Sequence, residues 1–148
     1  MTVADLTRPI EILLIEDDPA DSRLTREALK ENCAMTNLHA VANGFEALAW
    51  LRRQGRYRDA PRPDIILLDL NMPRKDGRQT LAEIKWDGDL RPIPVVVFTS
   101  SSAEEDIHQA YGLSANCYVI KPASLEEFLQ VVKSVLEFWF SVAQLPTE

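Results

Sequence analysis

Carboxylates, hydroxyls and one lysine stand directly after four short apolar runs in this chain. Glu16, Asp17 and Asp18 follow "IEILLI", Asp69 follows "DIILL", Thr99 and Ser100 follow "VVVF", and Lys121 follows "CYVI". Runs that short and that apolar fit strands buried on both faces. If such strands lie side by side, Glu16, Asp17 and Asp69 meet at one edge as like charges. At about 4 Å and an effective dielectric near 20, each pair costs roughly 4 kcal/mol. A fold tolerates this only with compensation, and the natural compensators are a divalent cation and the Lys121 ammonium. Ligands that are all oxygen, without His or Cys, favour a hard ion, Mg2+ over zinc, and a site with few carboxylates leaves coordination positions for water and phosphoryl oxygens. A carboxylate can itself be the nucleophile of phosphoryl transfer. In that chemistry Asp69 is the candidate acceptor, Lys121 the counter-ion of the phosphoryl group and Thr99 a hydroxyl that hydrogen-bonds it.

The elements that must position these residues alternate between strand-like runs and segments of helical period, the βα pattern of a parallel sheet. Residues 10–15 read as the first strand, and a helix follows with Asp18 as N-cap and Pro19 at its first position. "LHAVA" (38–42) is a second strand, ended by Asn43-Gly44 before a helix marked by Phe45, Leu48, Ala49 and Leu51. "RRQGRYRDAPRP" (52–63) is an exposed connection with five arginines, read either as a solvated loop or as a docking surface for an acidic partner. Strand three spans Asp64 to Leu68, and Leu81, Ile84 and Lys85 suggest the next helix. Pro92 and Pro94 flank the start of strand four. Ser102 with Glu105, and Ser124 with Glu127, form capping-box pairs before the fourth and fifth helices, with a strand from Asn116 to Ile120 between them. Right-handed crossovers then give a doubly wound (βα)5 domain, α/β in class, with helices on both faces. Its ligand site belongs at the carboxyl ends of the strands.

The length of 148 residues, 46% of them hydrophobic, fits one domain with a core at about residues 9–143 and short tails. A formal charge of −7 argues against direct nucleic-acid binding, which needs clustered Lys and Arg. Cys33 and Cys117 form no CxxC and suggest neither zinc nor a disulfide framework, so a reduced cytoplasmic setting is the default. No run approaches the roughly 18 apolar residues of a membrane span.

In order, "LLIEDD", "ILLDLNMPRKDG", "VVVFTS" and "CYVIKP" resemble the acidic pair, phosphoacceptor, hydroxyl and lysine segments of the receiver domains of two-component response regulators. The resemblance implies a flavodoxin-like fold. It makes Asp69 the aspartate phosphorylated by a sensor histidine kinase. Mg2+ is then held by Asp17, Asp69 and the Asn71 main-chain carbonyl, with Glu16 acting largely through water. Thr99 and Tyr118 match the two switch positions, where the hydroxyl turns toward the phosphoryl group and the ring moves inward behind it. Lys121-Pro122 matches a peptide bond commonly cis in the family. The long connection before "PDIILLDLNMP", the terminal "FW" and the lack of an output domain further resemble the small single-domain regulators of cyanobacterial phytochromes. Such a protein is a phosphorelay switch that assists its own phosphorylation and dephosphorylation rather than an enzyme. Two rivals stand beside it. A pseudo-receiver would be a binding module without phosphotransfer. An Asp-nucleophile phosphatase would need an acid two residues after the nucleophile, where this chain has Asn71.

His39 and His108 read as ordinary side chains. Along the last helix, Leu125, Phe128, Leu129, Val132, Leu136, Trp139 and Ala143 form one stripe, assigned to the sheet. Val131, Val135, Phe138 and Val142 form a second stripe about 110° away, covered either by a neighbouring helix or, as expected here, by a second copy in a homodimer.

Overall fold

Alternate residues of a strand point to opposite faces of its sheet, and in this chain both faces are apolar. The computed structural model, which describes residues 8–30, 36–72 and 75–146, has β1 (Ile10–Ile15), β2 (Thr36–Val41), β3 (Ile65–Leu68), β4 (Val95–Thr99) and β5 (Cys117–Ile120) in one sheet of order β2-β1-β3-β4-β5. Every neighbouring pair is parallel. Leu13, Ile15, Ile66, Leu68, Val95 and Val97 face α2 (Gly44–Leu51), α3 (Gly77–Trp86) and α4 (Glu104–Gly112). Ile12, Leu14, Ile65, Leu67, Val96 and Phe98 face α1 (Pro19–Lys30) and α5 (Leu125–Glu137). Two separate cores explain why the strand runs are apolar without alternation.

Local chemistry sets most of the helix starts. The Asp18 carboxylate accepts the Ala20 N–H at 2.9 Å, Asn43 accepts from Glu46 at 3.0 Å, and Ser124 accepts from Glu127 at 3.2 Å. The expected Ser102–Glu105 box does not form: α4 begins after Ala103, which caps with no side chain. Ser101 takes the role one residue earlier, accepting the Ala103 N–H at 3.3 Å and donating to Asp106 at 2.5 Å. The Lys121–Pro122 bond, expected cis, is trans, as most X–Pro bonds are.

The last helix departs from its expected course. After Glu137 the chain widens into a π-helical turn, Phe138–Val142, with Phe140 buried in the core. In the first stripe Phe128, Val132 and Leu136 are buried as expected, but Leu125 is 59% exposed. Of the second stripe, Val131 and Val135 are partly buried against the core on this face of the sheet. Phe138 and Val142 remain 49% and 73% exposed.

The arginine-rich connection is a built structure with a 3-10 turn at Gly55–Tyr57. Arg53 donates to the Ala60 carbonyl at 3.0 Å, Arg56 to Glu46 at 2.8 Å and Arg62 to the Asp89 carbonyl at 2.6 Å. At the outer edge of the sheet, the Tyr111 hydroxyl on α4 accepts the Tyr118 N–H of β5 at 3.1 Å. Cys117 is half-buried, and Cys33 lies outside the described residues. Among the described residues no helix is long and apolar enough to cross a membrane.

Candidate functional site

The order β2-β1-β3 makes the chain leave β1 and β3 in opposite directions, opening a crevice at their carboxyl ends. Ile15 is in register with Leu68, so the next residues, Glu16 and Asp69, emerge together. Backbone bonds continue the ladder one residue past the strands: Glu16 N–H to Val41 and Asp69 N–H to Ile15, both 3.0 Å, and Lys121 N–H to Thr99 at 2.7 Å. The sheet therefore fixes the site residues by their main chains before any side chain contributes.

Carboxylate oxygens of Glu16, Asp17 and Asp69 all lie within 4.8 Å of one another. Glu16 and Asp69 are buried, at 5% and 7% exposure. From β5, the Lys121 ammonium reaches across to donate to Glu16, to Asp21 at 2.8 Å and to Asp69 at 3.3 Å, and it lies 5.7 Å from the centre of the Phe98 ring. Burial raises the Glu16 carboxyl from its ordinary 4.5 to about 8, against the pull of Lys121. Burial also disfavours the Lys121 ammonium, but Asp21 and Glu16 outweigh it and hold the group above the ordinary lysine value. One cation thus faces more acid than it can neutralise, with oxygen donors only. That donor set fits a hard divalent ion and leaves room for exchangeable ligands.

Asn71 connects the acceptor loop to β4. Its N–H donates to Asp69 Oδ1 at 3.1 Å and its side-chain amide to Thr99 Oγ1 at 3.3 Å; Thr99 is fully buried. The Tyr118 ring packs inward beside the α2, α3 and α4 core, with its hydroxyl donating to the Ser101 carbonyl at 2.9 Å. Glu16, Asp17, Asp69, Asn71, Thr99 and Lys121 therefore meet at one edge, and Tyr118 joins them through the loop after β4.

Two contributors escape a reading of the sequence. Asp21 sits in the first turn of α1, where the helix dipole alone explains an acid, although a helix starting beside the crevice was a usable signal. Gly77 is needed because a Cβ there would stand 2.3 Å from the Asp69 carbonyl oxygen; its N–H donates to Leu70 at 3.1 Å. Next to it, Arg78 crosses to Asp106 on α4 at 2.6 Å.

Residues 12–133 match the response regulator receiver domain family. The chain belongs to that family. The response regulator Rcp1 of Synechocystis sp. is 46% identical over 138 residues, spanning 93% of this chain and 94% of that protein. The crystal structure of a phosphorylated cyanobacterial phytochrome response regulator, RcpA, is 49% identical and superposes with a TM-score of 0.92 over 95% of this chain and 100% of that one. The Mn2+-bound form of Rcp1 superposes at 0.90 with 46% identity over 94% of this chain and 100% of that one. As a response regulator, this protein works by phosphorylation of an aspartate in a receiver domain that binds a divalent metal, and the acidic cluster fits such an ion.

Proposed function

We propose that this response regulator accepts a phosphoryl group on Asp69 from a sensor histidine kinase, with Mg2+, and that the kinase is a phytochrome. One observation carries the choice of Asp69. It is the buried acid of the cluster that both accepts from the Lys121 ammonium at 3.3 Å and is tied through Asn71 to the Thr99 hydroxyl. The phytochrome partner is supported by the likeness to Rcp1 and RcpA.

In the step proposed, an Asp69 carboxylate oxygen attacks phosphorus. A P–O bond forms as the P–N bond of the donor phosphohistidine breaks, and its electron pair leaves on the imidazole nitrogen. Asp17 and Asp69 would hold the ion with the Asn71 carbonyl, and Glu16 through water; bound there, it neutralises the acids and the charge of the transferred group. Lys121 neutralises a phosphoryl oxygen from the opposite side. Thr99 gives up its bond from Asn71 to donate to another, and Tyr118 holds the loop after β4 behind it. Asp69 and Lys121 are held in place before the donor arrives, which is how the chain assists its own phosphorylation. The new contacts bias the surface around β4, α4, β5 and α5, where a further protein reads the state.

We also propose homodimerisation through the fifth-helix region, supported by the exposed Phe138 and Val142.

Incubation with acetyl phosphate and Mg2+, followed by intact mass, tests the central step. Wild type is expected to gain one phosphoryl group and Asp69→Asn none. A chain that gains none is a pseudo-receiver, and phosphate release without a lasting adduct favours the phosphatase.

A further inference from the structure

Lys121 has three N–H donors and meets three carboxylates from three places in the fold: Glu16 after β1, Asp69 after β3, and Asp21 in the first turn of α1. Every donor is spoken for. Asp21 differs from the other two partners. It is not among the carboxylates that converge within 4.8 Å of one another, so it is aimed at the lysine rather than at a cation. We propose that Asp21 is a positioning residue for phosphotransfer: it anchors one N–H of Lys121 and thereby directs the remaining donors at the oxygen Asp69 uses.

Lysine carries its charge on a flexible four-carbon stem, and here its ammonium meets both Glu16 and, at 3.3 Å, Asp69. Left to itself, such an ammonium has no fixed direction toward the acceptor. Asp21, reaching it at 2.8 Å from α1, holds one of its three N–H donors. When Asp69 becomes an acyl phosphate, its contact with Lys121 passes to a phosphoryl oxygen. Asp21 receives nothing in the reaction, so its bond to Lys121 persists from reactant to product. A held donor costs no reorganisation when charge arrives.

The inference rests on the phosphotransfer reading above and adds a residue to it. Its test is the rate of phosphorylation by acetyl phosphate in wild type, Asp21→Ala, Asp21→Asn, Lys121→Ala and the Asp21→Ala/Lys121→Ala double variant, titrated with Mg2+ and followed by intact mass. At saturating donor and Mg2+, Asp21→Ala is expected to slow phosphorylation about tenfold, on the scale that loss of orientation brings. The Mg2+ midpoint should move less than threefold, and Asp21→Asn, which keeps an accepting oxygen, should recover most of the rate. In the Lys121→Ala background the Asp21→Ala effect should vanish, since the two residues act as one unit. A wild-type rate in Asp21→Ala, an equal slowing in both backgrounds, or a Mg2+ midpoint that shifts as much as the rate overturns the inference alone. A wild type that takes no phosphoryl group on Asp69 overturns the reading beneath it as well.

Discussion

Burial pushes Glu16 and Lys121 toward their neutral forms, but only Lys121 has enough opposite charge around it to resist. Without metal, folded Glu16 keeps its proton to about pH 8, whereas its ordinary value is 4.5. The folded state therefore binds the extra proton across that window, and its stability falls as pH rises through it, by at most about 1.4 kcal/mol per pH unit. Chemical denaturation in chelator should show the fold becoming less stable between pH 5.5 and 7.5. Saturating Mg2+ should flatten the slope, because a cation favours the carboxylate. A slope that metal does not change would mean that Glu16 is not what titrates. At this scale the sequence was generous. An acid at the end of an apolar run carries its own address, so Glu16, Asp69 and Lys121 were readable from the chain. Asp21 was not, because its spacing suits a helix start as well as it suits a site.

Elements were readable where periodicity or a cap fixed them, and less so where a tertiary contact decided. Asp18 and Ser124 start their helices as expected, while the Ser102 cap lost to a Ser101 hydroxyl already bound to Asp106. The π turn that buries Phe140 has no sequence signal of its own. At α3 the deciding contact is backbone against backbone. Gly77→Ala would press a methyl onto the Asp69 carbonyl and Leu70 Cα, at 2.3 and 2.6 Å, and should cost about 2 to 3 kcal/mol as an overpacked site. It should also slow phosphorylation, since the acceptor's own peptide must shift. Gly44→Ala meets side-chain atoms of Thr80 and Lys75 instead and should leave the rate alone. Denaturant melts and acetyl phosphate kinetics on the two variants check the contrast; equal rates would detach Gly77 from the site.

Across the whole molecule, chemistry gathers at one end of the sheet and structural ties at the other. Asp64 accepts both Arg8 nitrogens and the Glu11 N–H. Lys85 holds the carbonyls of Arg91 and Ile93 and the side chain of Asn116. Arg53, Arg56 and Arg62 after α2 add to these ties, although the connection is largely exposed, as its composition suggests. Among the exposed apolar side chains, Phe138 and Val142 stand together in the turn after α5. Phe138→Glu or Val142→Asp should convert a dimer to monomer in sedimentation at micromolar concentration without lowering the melting temperature of the fold; wild type that stays monomeric, phosphorylated or not, removes the dimer. The hydroxyl of Tyr111 has a consequence for any visitor to the opposite border of the molecule. By occupying the outward amide of Tyr118, it denies an incoming polypeptide the first rung for extending the sheet. A partner that adds a strand here must first displace that hydroxyl, which ties this border to the position of α4.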